Sequence, residues 1–172
     1  LSMTVGQQKN LSIVWADIDS GSLVYTTSNT DRAGLRTEWL DPLGIPTGTN
    51  LNASPDILLD ASGKIAVAYS VPINEGRGIY VIQATGRDPE WSLPVKVFDA
   101  VVAEWERVDN PQIALSSDGK LHILFSRFTG GGEHAIGLYY SQSSDGGATW
   151  NPAELIREGS ITWTDMVSSD AA

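Results

Sequence analysis

Cysteine is absent from this chain of 172 residues. That removes disulfides, thiolate nucleophiles and thiolate metal ligands together. No apolar run reaches the ~18 residues that a membrane-spanning helix requires. Positive charge is scarce: 11 Lys and Arg stand against 21 Asp and Glu, giving a net charge of -10 and a pI near 4.4. Such a balance argues against a nucleic-acid backbone or an anionic membrane as the main partner. Histidine occurs only twice, at His122 and His134, which makes no metal constellation, and no motif implies a cofactor. Long amphipathic helical patterns are missing as well, and no basic n-region followed by an apolar stretch opens the chain.

What is present is β structure. Short β-branched and aromatic runs alternate with Gly, Asn, Asp and Ser turns. The runs repeat. Residues 55–70, from Pro55 to Ser70, align with residues 111–126, from Pro111 to Ser126, at an offset of 56. An earlier copy fits at an offset of 54, with Met3 to Val5 as its first strand and Leu11 to Trp15 as its second. Trp15, Tyr69 and Phe125 then share one equivalent position. A third strand recurs at 22–25, 78–81 and 137–140, and a tryptophan follows each, at Trp39, Trp91 and Trp150. The repeats are approximately 1–54, 55–110 and 111–164, with the start of a fourth at 165–172.

Four short strands in meander order over roughly 40–60 residues are what one propeller blade contains. The expected fold is therefore all-β, a β-propeller with about three four-stranded blades. The tryptophans are expected to fill the gaps between sheets. A β-sandwich is the competing architecture, and it does not call for such a repeat. Three blades do not close a ring. The chain is expected to be a partial propeller within a longer protein, or half of a six-bladed ring formed by a homodimer.

One turn is better defined than the rest. Ser143-Ser144-Asp145-Gly146-Gly147-Ala148-Thr149-Trp150 lies between strand-like runs at 136–142 and 153–156. Gly146 and Gly147 can take positive φ, and Ser143 and Asp145 can bond nearby amides. The pattern Ser-x-Asp-x-Gly-x-Thr-Trp resembles the Asp-box, or BNR repeat, of the sialidase superfamily. The resemblance implies a six-bladed sialidase-type propeller, in which Ser143, Asp145, Gly147, Thr149 and Trp150 are structural. It also implies that Asp-boxes sit on the face away from the catalytic site. The family's activity is removal of terminal sialic acid, with three arginines on the substrate carboxylate, an aspartate acid/base, and a tyrosine nucleophile paired with a glutamate. This sequence departs from that set. Gly44-Ile45-Pro46 stands where the family has Arg-Ile-Pro, and no tyrosine–glutamate pair can be assigned. No catalytic residue is carried over.

Function is then sought on the opposite face, in the second-to-third-strand loops 16–21, 71–77 and 127–135 and the connecting loops 43–54, 100–110 and 158–166. The candidate ligand-binding residues there are Arg77, Trp105, Arg107, Arg127, Glu133, His134, Trp163 and Asp165. Exposed tryptophans beside carboxylates and arginines suit a sugar, whose flat faces stack and whose edges hydrogen-bond. The ordinary alternative is that Trp105 and Trp163 plug gaps between blades and that the charges are solvated. His134 suits a general acid or base, although a single loop histidine usually has no such role. Residues 17–21, Asp-Ile-Asp-Ser-Gly, have a faint calcium-loop look but read better as a hairpin turn.

Three functions follow from these residues. The first is a sialidase-like module binding a glycan or protein ligand on its loop face. The second is a glycoside hydrolase with catalytic residues partly outside the chain or on a second copy. The third is a structural repeat module of a larger bacterial protein. An extracellular or cell-surface location is expected.

Overall fold

The computed structural model describes residues 1–6, 9–86 and 88–161. Within them the chain forms three antiparallel sheets, each a meander in sequence order, and none closes on itself. The first holds β1 (Ser2–Val5), β2 (Asn10–Ala16), β3 (Leu23–Asn29) and β4 (Leu43–Gly44). The second holds β5 (Ala53–Leu59), β6 (Lys64–Val71) and β7 (Gly78–Thr85), with β8 (Glu90–Trp91) and β9 (Val95–Asp99) both paired to β7. The third holds β10 (Arg107–Leu115), β11 (Leu121–Phe128), β12 (Ala135–Ser143) and β13 (Glu154–Ile161). Only a three-residue turn of 3-10 helix, Arg36–Glu38, interrupts the β structure. Among the described residues no helix is long and apolar enough to cross a membrane.

In the second sheet, β8 and β9 are one outer strand broken in the middle. β8 pairs with Ala84 and Thr85, and β9 pairs with Gly78 to Val81. Between them lies Pro94, which has no N–H to give to the ladder. Ser92 N still donates to Gln83 O at 2.8 Å, so the two pieces stay on one path.

Strand alternation explains how the sheets stack. Along β6, Ile65, Val67, Tyr69 and Val71 pack toward the first sheet, into a core with Val14, Leu23, Tyr25 and Ile45. Ala66 and Ala68 point the other way, into a core with Ile113, Ile123 and Phe125 of the third sheet and Trp105 of the loop before it. Successive side chains of a strand face opposite sides, so the middle sheet is buried on both faces. The outer two sheets each keep one face open. On the first, Met3 and Val5 are each 59% exposed, and Ile13, Trp15 and Trp39 line an open hollow. On the third, Leu155 and Ile156 are about half exposed. Trp91 meets Tyr25 edge-on at 5.7 Å, and Trp150 packs against the core between the second and third sheets. Both therefore fill inter-sheet gaps, as their sequence positions suggested, but Trp39, expected to do the same, lines the open hollow because the first sheet has no neighbour on that face among the described residues.

The first strands of the three sheets are tied together by one carboxylate. Asp56 Oδ1 accepts from Ser2 Oγ at 2.6 Å, and Asp56 Oδ2 accepts from Ile113 N at 2.8 Å. This links β1, β5 and β10 at their inner edges. β5 and β10 also share a backbone device. Each carries a bulge near its start, between Ala53 and Asp56 and between Asp109 and Gln112. Ser54 and Asn110, one within each bulge, hold positive φ of 44° and 54°.

Candidate functional site

The third sheet has two chemically different ends. Leu121 pairs with Ser143 at one end, and Phe128 pairs with Ala135 at the other. The turn at 143–150 belongs to the first end. Asp145 Oδ1 accepts from Thr149 N at 2.9 Å and Asp145 Oδ2 from Thr149 Oγ1 at 2.5 Å. Ser143 Oγ donates to Asp145 Oδ1 at 2.7 Å and accepts from Gly147 N at 2.9 Å. The hydrogen bonds from Thr149 and Ser143 hold the Asp145 carboxyl well below the usual carboxylate range. Gly146 and Gly147 take φ of 73° and 93°. Gly146 O accepts from Gln83 Nε2 at 2.8 Å, which fastens the turn to the second sheet. Every polar group named here serves the turn, so this end has the look of a lock.

The neighbouring β10–β11 turn is closed the same way. Ser116 Oγ lies 2.8 Å from His122 Nε2, His122 Nδ1 lies 2.6 Å from Tyr140 Oη, and Asp118 accepts from Lys120. His122 is thus part of a structural network. Asp17 does similar work at the β2–β3 turn, where its Oδ1 accepts from Asp19 N and Ser20 N. The Ser20 amide and then the Asp19 amide lower its carboxyl, and the backbone bonds Asp17 N to Ser22 O and Gly21 N to Asp17 O make residues 17–21 a hairpin turn.

The opposite end is hollow. A cavity of about 670 Å³ opens where the starts of the inner strands converge. Its walls are Leu1, Ser54 and Pro55 from the first two sheets, and Asn110, Gln112, Ser126 and Phe128 from the third. Glu133 and His134 on the β11–β12 loop, Ala135 at the start of β12, and Ile161 complete it. The bulges give Ser54 and Asn110 their positions, because an extra residue turns the side chain out of the pleat. Ser54 Oγ and Asn110 Oδ1 are 3.4 Å apart. Strained backbone at non-glycine residues gathers where a fold over-determines it.

The loop carrying Glu133 and His134 is held from below. Glu106 Oε2 accepts from Gly130 N at 2.7 Å, and Arg107 Nη1 donates to Gly132 O at 3.4 Å. Both side chains come from the start of β10, so the loop is braced by the strand that forms the cavity wall. Among the described residues no hydrogen bond or ion pair engages Glu133 or His134, and both are exposed at the cavity.

The other predicted site residues are spent on structure. Trp105 is 8% exposed. Its ring lies 4.4 Å from Phe98 and 4.4 Å from Tyr139, centroid to centroid. The expectation of an exposed Trp105 is corrected: the ring plugs the gap between the second and third sheets. Local structure forces this. Trp105 N donates to Ala100 O at 2.9 Å, and Glu104 takes a positive φ of 56°, so the loop folds its last residue inward.

Arg77 gives Nε to Trp105 O at 2.5 Å and Nη1 to Asn74 O at 2.8 Å. Arg127 lies with its guanidinium 5.1 Å from the Trp105 ring centroid. Arg107 pairs with Asp109 at 3.2 Å and covers the Phe128 ring at 4.6 Å. The structure therefore gathers Arg77 and Arg127 around Trp105 but leaves none of the three arginines on the cavity wall. Arg107 opens β10 instead of lying in a loop, and residues 158–161 end β13 instead of starting one. Trp163 and Asp165 lie outside the described residues. Among the described residues no group of His, Asp and Glu is placed to hold a metal ion.

Sequence reasoning passed over Ser54, Asn110, Gln112, Ser126 and Phe128. The signal was available for two of them. Ser54 and Asn110 are related by the same offset of 56 that aligns the repeats.

No protein-family model matches the chain, and no curated protein matches it. Solved structures do. One is an ulvan lyase of polysaccharide lyase family PL25 bound to -[GlcA(1-4)Rha3S]-, with a TM-score of 0.59 at 12% identity over 90% of this chain. The structure of the PL25 ulvan lyase reported without that ligand matches at 0.59 and 14%. Another is the α-L-arabinofuranosidase PaAbf62A from Podospora anserina in complex with cellotriose, with a TM-score of 0.58 at 12% identity over 92% of this chain. The chain spans 37% of the lyase and 50% of the arabinofuranosidase. At these identities the likeness is one of fold.

Proposed function

We propose that the chain is a glycan-binding module built from three blades of a sialidase-like Asp-box propeller, with its ligand site at the loop end. The observation that carries this reading is the cavity of about 670 Å³ at the converging inner strands. It falls within the ~300–1,000 Å³ of small-molecule sites. It is lined by hydroxyl, amide and carboxyl groups, and Glu133 and His134 have no structural work of their own. The turn at 143–150 lies at the far end of the sheet, as an Asp-box would. The arginines that a sialidase would turn on its substrate carboxylate are engaged elsewhere, so the reading is of binding without that catalytic set. The two open sheet faces favour pairing with a second copy or with further blades of a longer protein.

A second reading has its own support. Glu133 and His134 sit side by side on a braced loop, where a general acid and base would need to be. The fold neighbours are a lyase and a glycosidase. In this reading the chain is a glycoside hydrolase whose remaining catalytic groups come from a second copy or from outside these residues.

A glycan array tests the first reading. Binding that is lost in Asn110→Ala and Glu133→Gln, both still folded by circular dichroism, supports it. Absence of binding to every glycan class overturns it. Turnover of fluorogenic glycosides, abolished by Glu133→Gln, would establish the second reading instead.

A further inference from the structure

We infer that the cavity is selective for neutral saccharides and excludes uronate- and sialate-bearing ones; this rests on the glycan-binding reading above. The argument is one of charge and hydrogen-bond chemistry. The walls present hydroxyls from Ser54 and Ser126 and amides from Asn110 and Gln112. Hydroxyls and amides both donate and accept, which matches sugar hydroxyls, themselves donor and acceptor. Among the described residues, the one charged side chain of fixed sign on the wall is Glu133, and its neighbour His134 is the only other titratable side chain there. No lysine or arginine side chain among the described residues lines the cavity.

The guanidinium beneath the Glu133 loop is already paired. Arg107 is paired to Asp109 at 3.2 Å, and its second nitrogen holds Gly132 O. Arg77 is fastened to Trp105 O, and Arg127 lies across the Trp105 ring. A carboxylate brought into the cavity would find no bidentate partner. It would instead meet Glu133, inside a protein whose net charge is -10. Like charges at close range in a partly enclosed site repel strongly. Recognition of an anionic sugar would require Arg107 to abandon Asp109. That would take the cationic partner from the buried Asp109, which is only 6% exposed, and leave its charge to the hydrogen bonds from Ser70 Oγ at 2.6 Å and Asn110 N at 2.8 Å.

The experiment is isothermal titration with neutral hexaoses (cellohexaose and xylohexaose) and with anionic ones (hexagalacturonate and a sialylated oligosaccharide), at low and at high salt. The expected result is binding of a neutral hexaose, weakened about tenfold or more by Asn110→Ala and little affected by salt. The anionic probes are expected to bind at least about tenfold more weakly at low salt, with the gap narrowed by Glu133→Lys. Preference for an anionic probe, with affinity that falls as salt rises, would overturn the inference and leave glycan binding intact. No binding of any probe, by a protein that gives a sharp cooperative thermal transition, would overturn both.

Discussion

Replacing Trp105 by alanine separates two pictures of this protein. If the ring plugs the gap between the second and third sheets, its loss is a stability event. If it stacks on a ligand, its loss is a binding event. The structure places the ring against Phe98, Phe125 and Tyr139, with Arg127 across it, at 8% exposure. Burying an aromatic of ~200 Å² at ~25 cal/mol per Å² is worth about 5 kcal/mol as an upper bound. Tryptophan-to-alanine changes in cores cost about 3–5 kcal/mol. Against a typical domain stability of ~5–15 kcal/mol that is a large fraction. With a urea slope of about 2 kcal/mol per molar, the unfolding midpoint should fall by about 1.5–2.5 M. The assay is urea denaturation followed by far-ultraviolet circular dichroism. Trp105→Phe should recover more than half of the loss, because it keeps most of the packed ring. A midpoint within about 0.3 M of the parent for Trp105→Ala would refute the packing argument. Glycan affinity lost with no change of midpoint would put the ring at the ligand instead.

Other consequences are also measurable. Gly147→Ala should destabilise by about 1–3 kcal/mol: its φ is 93°, and an added Cβ would lie 2.8 Å from Gln83 Nε2 and 3.2 Å from Leu121 Cδ1; an unchanged melting temperature would contradict the turn geometry. Asp118 is held at about 2 by the hydrogen bond from Lys120 and then by that from Ser116. Its folded value lies below the ordinary ~3.9, so its contribution is complete above about pH 4 and fades as the pH falls toward 2. The melting temperature of Asp118→Asn should therefore trail the parent at pH 6 and converge with it near pH 2; a gap that persists at low pH would exclude the carboxylate as the cause. The open apolar faces carrying Met3, Val5, Trp15 and Trp39 on one outer sheet and Leu155 and Ile156 on the other should drive association. Light scattering is expected to give a multiple of the 18.5 kDa chain mass, reduced by Trp15→Lys; a monodisperse monomer would remove the pairing.

Much of the architecture was legible because it is periodic. The offsets that align Tyr69 with Phe125 placed the strands, and the turn at 143–150 was legible from its glycines and short polar side chains. Both are local: strand alternation and turn chemistry act over a few residues. The broken outer strand of the second sheet was less visible, although Pro94 marks where it breaks. The site was legible only in outline. Glu133 and His134 were singled out, and they do reach the cavity. For Trp105 and the arginines the sequence left a ligand role and a packing role both open, because a loop position says nothing about whether a loop folds its side chain outward or inward.

The sequence by itself determined the meander order of the strands in three repeats, the inter-sheet tryptophans Trp91 and Trp150, and the end of the sheet at which the polar turns cluster. Only the tertiary structure decided which polar groups remain uncommitted. Arg77 is committed because Trp105 O lies 2.5 Å from its Nε, and Arg107 because Asp109 lies across from it. The bulges at Ser54 and Asn110 acquire meaning only when two strands separated by 56 residues lie side by side. Those partnerships join residues far apart in the chain, and no local pattern encodes them.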